Sequence, residues 1–97
     1  MKLVTKELRK QFPPIYANEE KDPTQIRIVA KFFTPWTNWT WYATEFDGED
    51  TFFGLVDGQE RELGYFSLRE LEALKGPFGL KIERDLYYGP HMLAEVI

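Results

Sequence analysis

Four carboxylates, Glu45, Asp47, Glu49 and Asp50, crowd one short turn of the chain. A hard cation such as Ca²⁺ gathers about six to eight oxygens on a loop, but a calcium loop also needs fixed ligand spacing and a closing Glu. Neither is present here, and Asp and Gly are ordinary turn residues for backbone reasons alone. No metal and no cofactor are therefore expected. Hydrolysis by paired carboxylates needs two groups facing across a cleft. Glu45, Asp47 and Asp85 are the residues a small hydrolase would use. The chain has no cysteine and one histidine, His91, which removes thiol chemistry and the usual nucleophile–base pairs. Binding is favoured over catalysis.

Two further groups suit binding. Trp36, Trp39, Trp41 and Tyr42 have the ring content of a platform for bases or sugars. Such platforms interleave Lys and Arg, whereas Thr and Asn fill the gaps here, so core packing is the expectation. Glu83-Arg84-Asp85, ahead of Tyr87-Tyr88, is the densest polar group outside a turn. If Trp41, Tyr42 and Glu45 share one strand and Arg84, Asp85 and Tyr87 a neighbouring edge segment, the six line one groove. Aromatic walls with charges of both signs are typical of ligand grooves and interface anchors. The competing expectation is a strut, with Arg84 paired to Glu45 or Asp85. The glycines at 48, 54, 58 and 64 do not fit a phosphate-binding spacing. Phe53-Gly54-Leu55 marks a bulge or the close approach of a ring.

These residues must be positioned by strands. From Lys31 to Asp57 the chain carries all three tryptophans and a run of phenylalanines, broken by Asp47-Gly48-Glu49-Asp50, which is a hairpin signal. Strands are predicted over 25–34, 37–46, 51–56 and 60–66, with a weakly alternating edge strand over 80–86. In the first, Ile26, Ile28, Ala30 and Phe32 share a face. Short connections make the neighbours antiparallel, giving a meander. Ser67-Leu68-Arg69-Glu70 is a capping-box signature, with Phe66 and Leu71 placed as a hydrophobic staple. The helix it starts, over about 67–75, has the stripe Leu68, Leu71 and Leu74 and a C′ glycine at Gly76 before Pro77. A short N-terminal helix is capped by Thr5, carries Leu8 and Phe12 on one face, and ends before Pro13-Pro14. The acidic connector 15–23 is expected to be extended and solvated, and His91 to lie in a surface tail. The expected fold is thus α+β, one domain over 1–97, with an antiparallel meander of four to five strands and the 67–75 helix packed on one face.

Sixteen acidic against twelve basic residues give a net charge of -4. Duplex nucleic-acid binders carry a basic stripe. Lys2, Lys6, Arg9 and Lys10 read instead as a solvated face, and the acidic load is too small for a DNA mimic. No signal-peptide core is visible and no apolar run approaches the roughly 18 residues a membrane span needs, so a soluble cytoplasmic protein is expected. Another protein is the expected partner, with oligomeric state left open.

The chain resembles the bacterial domain-of-unknown-function family 2958, on motifs running from Leu3 to about Tyr88. They are Lys6-Glu7-Leu8-Arg9 with Pro13-Pro14, Lys31-Phe32-Phe33-Thr34-Pro35, Trp39-Thr40-Trp41-Tyr42, Glu45 with Asp47-Gly48, Phe53-Gly54-Leu55-Val56, Gly64-Tyr65-Phe66-Ser67, Gly76-Pro77 and Ile82-Glu83-Arg84-Asp85-Leu86-Tyr87. The resemblance implies a small accessory protein carried by bacteria, often on mobile elements, and supplies no catalytic residues.

Overall fold

A computed structural model describes residues 1–97. The N-terminal helix α1 (Lys6–Arg9) starts as predicted, with Thr5 Oγ1 accepting the Leu8 N–H at 3.1 Å. The connector after Pro14 differs from expectation. It is a succession of turns, closed by Ala17 N–H to Pro14 O, Glu19 N–H to Tyr16 O and Lys21 N–H to Asn18 O, and it buries Asn18.

The predicted first strand is divided. Asp22 accepts from Thr24 N–H and caps a 3₁₀ turn at Pro23–Gln25; β1 (Arg27–Ile28) and β2 (Ala30–Phe33) follow. The reason lies at the far end of the chain, where β7 (His91–Met92) pairs with β1 and draws it out of the main sheet. The tail containing His91 is thus ordered against the body, with Leu93 N–H bonded to Ile26 O at 2.8 Å. β3 (Thr40–Phe46) begins later than expected, because Thr34 and Thr37 bond each other through their hydroxyls and Thr37 Oγ1 accepts the Trp39 N–H, making a turn.

β4 (Thr51–Asp57) and β5 (Arg61–Ser67) complete the meander. The turn before β4 is held by Asp47, whose Oδ1 accepts the N–H groups of Glu49, Asp50 and Thr51. The register slips between Ala43 and Glu45, opposite Gly54, as a β-bulge. A Cβ on Gly54 would collide with the carbonyl of Tyr42, so a backbone, not a ring, makes the close approach there.

The second helix, α2 (Leu68–Ala73), is shorter than predicted and leaves Leu74 exposed. Ser67 Oγ accepts the Glu70 N–H, but the other half of the cap comes from across the turn. Asp50 takes the Leu68 N–H on its carbonyl, and the Arg69 N–H and Ser67 O–H on its carboxylate, at 2.7–2.8 Å. Gly76 is not a left-handed cap, since its φ is -103°. A side chain there would overlap the Trp36 indole, which accounts for glycine. The predicted 80–86 strand contracts to β6 (Glu83–Arg84), which pairs with the outer edge of β2.

The result is an α+β fold: a five-stranded antiparallel sheet in the order β5-β4-β3-β2-β6, and the small β1–β7 ribbon. One face carries Ala30, Phe32, Trp41, Ala43, Phe46 and Phe52, covered by Leu68 and Leu71 of α2 and by Leu3, Val4 and Leu8. The opposite face has a smaller cluster of Ile26, Leu55 and Leu93, with Tyr42 against it. Cover on that second face is incomplete near β5, where Leu63 and Tyr65 are exposed.

Candidate functional site

β5 is an edge strand, and its register fixes what it offers to solvent. Leu68 N–H bonds Asp50 O and Gly58 N–H bonds Glu60 O. Bonded and non-bonded pairs alternate in an antiparallel ladder. The bonded pairs are therefore Phe52–Phe66, Gly54–Gly64 and Val56–Glu62. Leu63 and Tyr65 consequently turn their N–H and C=O groups outward, where they have no partner in the chain. The two residues are 51% and 56% exposed. Alternation sends both to the face that carries Phe53 and Glu45, and the Tyr65 ring meets Phe53 edge-on at 5.1 Å.

Beneath Leu63 and Tyr65 lies a hollow of about 340 Å³. Glu45, on β3 just past the bulge, stands in its wall and is only 4% exposed. Its Oε1 accepts the Tyr16 N–H at 2.6 Å. That bond folds the connector back over the sheet, and Tyr16 adopts φ 74° to make it. The molecule's four ion pairs all lie elsewhere. The neighbouring Tyr16 hydroxyl first, then burial, raises the Tyr65 hydroxyl above its usual range, with Glu45 and Glu19 adding to the effect. A second hollow of about 520 Å³ flanks β5 between Trp39, Val56, Glu62 and Leu63.

The six residues grouped by sequence reasoning are distributed. Arg84, Asp85 and Tyr87 share a groove of about 530 Å³ with Lys31 and Trp39. Trp41 is buried in the main core, while Tyr42, one residue on, faces the other side of the sheet. Adjacent strand residues cannot share a face. Tyr42 lies 5.9 Å from Tyr88, with Lys31 Nζ over both rings; burial foremost, then Asp57, raises its hydroxyl pKa. Glu45 belongs to the separate hollow. Nor does Arg84 pair with Glu45 or Asp85: its guanidinium donates to Leu3 O at 2.9 Å, and Asp85 faces Lys31 at 3.9 Å. The three carboxylates of a hydrolase reading have different surroundings. Glu45 is in the β5 hollow, Asp85 in the Arg84 groove, and Asp47 in the turn, where the Glu49 N–H above all holds its carboxyl below the usual range.

A family model described as "Protein of unknown function (DUF2958)" matches residues 3–95. The chain belongs to the DUF2958 family. The resemblance read from its motifs is thereby established over nearly the whole chain, and the family description assigns no activity. Comparison of this DUF2958 chain with curated proteins and with solved structures finds no match. No helix is long and apolar enough to cross a membrane. Sequence reasoning missed Tyr16, Asn18, Leu63 and Tyr65. A signal existed for the last two: in a meander without a following hairpin the last strand is an edge, and Leu63 and Tyr65 alternate with the core-packed Phe66.

Proposed function

We propose that this DUF2958 protein is a non-catalytic interaction protein that captures another polypeptide by adding one of its strands to β5. The observation that carries the reading is the unpaired outward backbone of Leu63 and Tyr65 in an edge strand of seven residues. Protein sheets normally blunt such edges with proline, bulges, charge or a covering segment. Here the charges sit at one end, Arg61 and Glu62, and the Leu63–Phe66 stretch has no proline. Main-chain pairing would supply affinity in strand addition, and hollows beside the edge would supply side-chain selectivity. Both hollows border Leu63 and Tyr65. Such a module suits an accessory factor, including one encoded on a bacterial mobile element. The hydrolase alternative is weaker, because Glu45, Asp47 and Asp85 do not converge.

Proline at an outward-facing edge position removes one exposed N–H and leaves the inner ladder whole. Leu63→Pro should therefore keep the melting profile while losing a partner that the unmodified protein retains from its host. In the complex, the Leu63 and Tyr65 amides should become protected from hydrogen exchange. Retention of the partner by Leu63→Pro, with those amides still exchanging freely, would refute strand addition. Pairing of β5 with β5 in a sedimenting homodimer would overturn the assignment to a different polypeptide.

A further inference from the structure

Isolated buried carboxylates are unfavourable unless a cation or several donors compensate them. Glu45 is 4% exposed, has no ion-pair partner, and accepts one protein hydrogen bond, through Oε1. Asn18, 6% exposed, lines the same hollow, and its carboxamide has no protein partner. No side-chain N or O in the molecule is both sealed from solvent and unpartnered. Glu45 Oε2 and the Asn18 carboxamide must therefore reach solvent, and the hollow both residues line is where they do so. Around them stand the rings of Tyr16, Phe53 and Tyr65 with Ile26 and Leu93; Glu19 and Lys21 also line the hollow, and Lys21 forms no ion pair with Glu45.

We infer that this hollow binds a primary ammonium group carried on an apolar stem. Glu45 Oε2 supplies the charge-assisted bond and the side-chain oxygen of Asn18 a second acceptor. The ring faces attract the cation, and Phe53, Ile26 and Leu93 receive the stem. A guanidinium is the poorer occupant: it is a planar fork that takes both oxygens of a carboxylate, and Oε1 is committed to the Tyr16 N–H. At about 340 Å³ the hollow is at the small end of ligand pockets, roughly 300–1,000 Å³, and has ample room for one unbranched alkylammonium. The hollow is one of the two beside β5, but the inference does not require strand addition, and its test contains no partner strand.

The Tyr16 amide, bonded to Glu45, is the reporter. Titration with n-butylammonium should move its NMR signal to saturation. Neutral n-butanol should bind roughly tenfold more weakly or worse, given the usual advantage of a hydrogen bond to a charged group, and n-propylguanidinium should bind more weakly because its planar fork cannot take both oxygens. Glu45→Gln preserves the acceptor for Tyr16 and should weaken butylammonium by a similar factor. Nα-acetyl-lysine methylamide forms a second arm. Tighter binding than butylammonium identifies a protein lysine as the source of the group, and weaker binding a free alkylamine. Absence of saturation, equal response to n-butanol, tighter guanidinium binding, or unchanged affinity in Glu45→Gln would each overturn the inference. If Glu45→Gln melts early, the ammonium–butanol comparison on the unmodified protein decides alone.

Discussion

Phe52 and Phe53 are neighbours in sequence on opposite faces of β4, so truncating each in turn measures the register of the sheet. Phe52 is 0% exposed. Its ring centroid lies 4.4 Å from that of Phe46, 5.2 Å from Phe66, 5.4 Å from Phe32 and 5.6 Å from Phe12. With neighbours on all sides the site cannot collapse around a lost ring, so Phe52→Ala should cost about 3–5 kcal/mol. Against a total stability of about 5–15 kcal/mol for a chain of this size, that removes a large fraction. At about 4–8 °C per kcal/mol, the melting temperature should fall by roughly 12–40 °C. Phe53 is half-buried and has one ring partner, Tyr65. Half of a full ring's burial is about 0.75–1.5 kcal/mol, so Phe53→Ala should lower the midpoint far less. Urea and thermal melts followed by circular dichroism read both. A one-residue slip would exchange the two faces. Equal losses, or the larger loss at Phe53, would therefore refute the register and with it the outward assignment of Leu63 and Tyr65.

Ser67→Ala should cost about 0.5–2 kcal/mol through the lost cap, with helical circular dichroism reduced before global melting; an unchanged melt would contradict the bond from Glu70 N–H. Alkaline titration gives a signed test. Burial first, and then the neighbouring Tyr42, pushes Tyr88 up from 10.0 to about 12. A folded pKa above the unfolded one means its stabilising contribution is whole below pH 10 and lost as pH rises toward about 12. Phenolate absorbance should accordingly show late components, of which the one nearest pH 12 is lost in Tyr88→Phe. A single transition near 10.0 for every tyrosine would contradict the packing of Tyr88 against Tyr42.

The fold class was legible because its signals are local. Alternation around Trp41, Ala43 and Phe52, the Asp47-Gly48 turn and the Ser67 cap each act over a few residues, and together they specify a meander followed by a helix. Three features depended on distant partners instead. The first strand is split because β7, more than sixty residues later, pairs with β1. Gly76 is glycine because of the Trp36 indole, not because a helix ends there. The cap of α2 is completed by Asp50, where local pattern offered Glu70. The site shows the same division. Sequence identified Glu45, Arg84, Asp85 and Tyr87 as residues of interest, since charged and aromatic side chains are visible one at a time. Only the tertiary structure separated Trp41 from Tyr42 across the sheet, brought Tyr16 and Asn18 to Glu45, and left Leu63 and Tyr65 on an unpaired edge. Which groups share a hollow depends on strand order and on the path of the connector, and both are set by contacts between residues far apart in the chain.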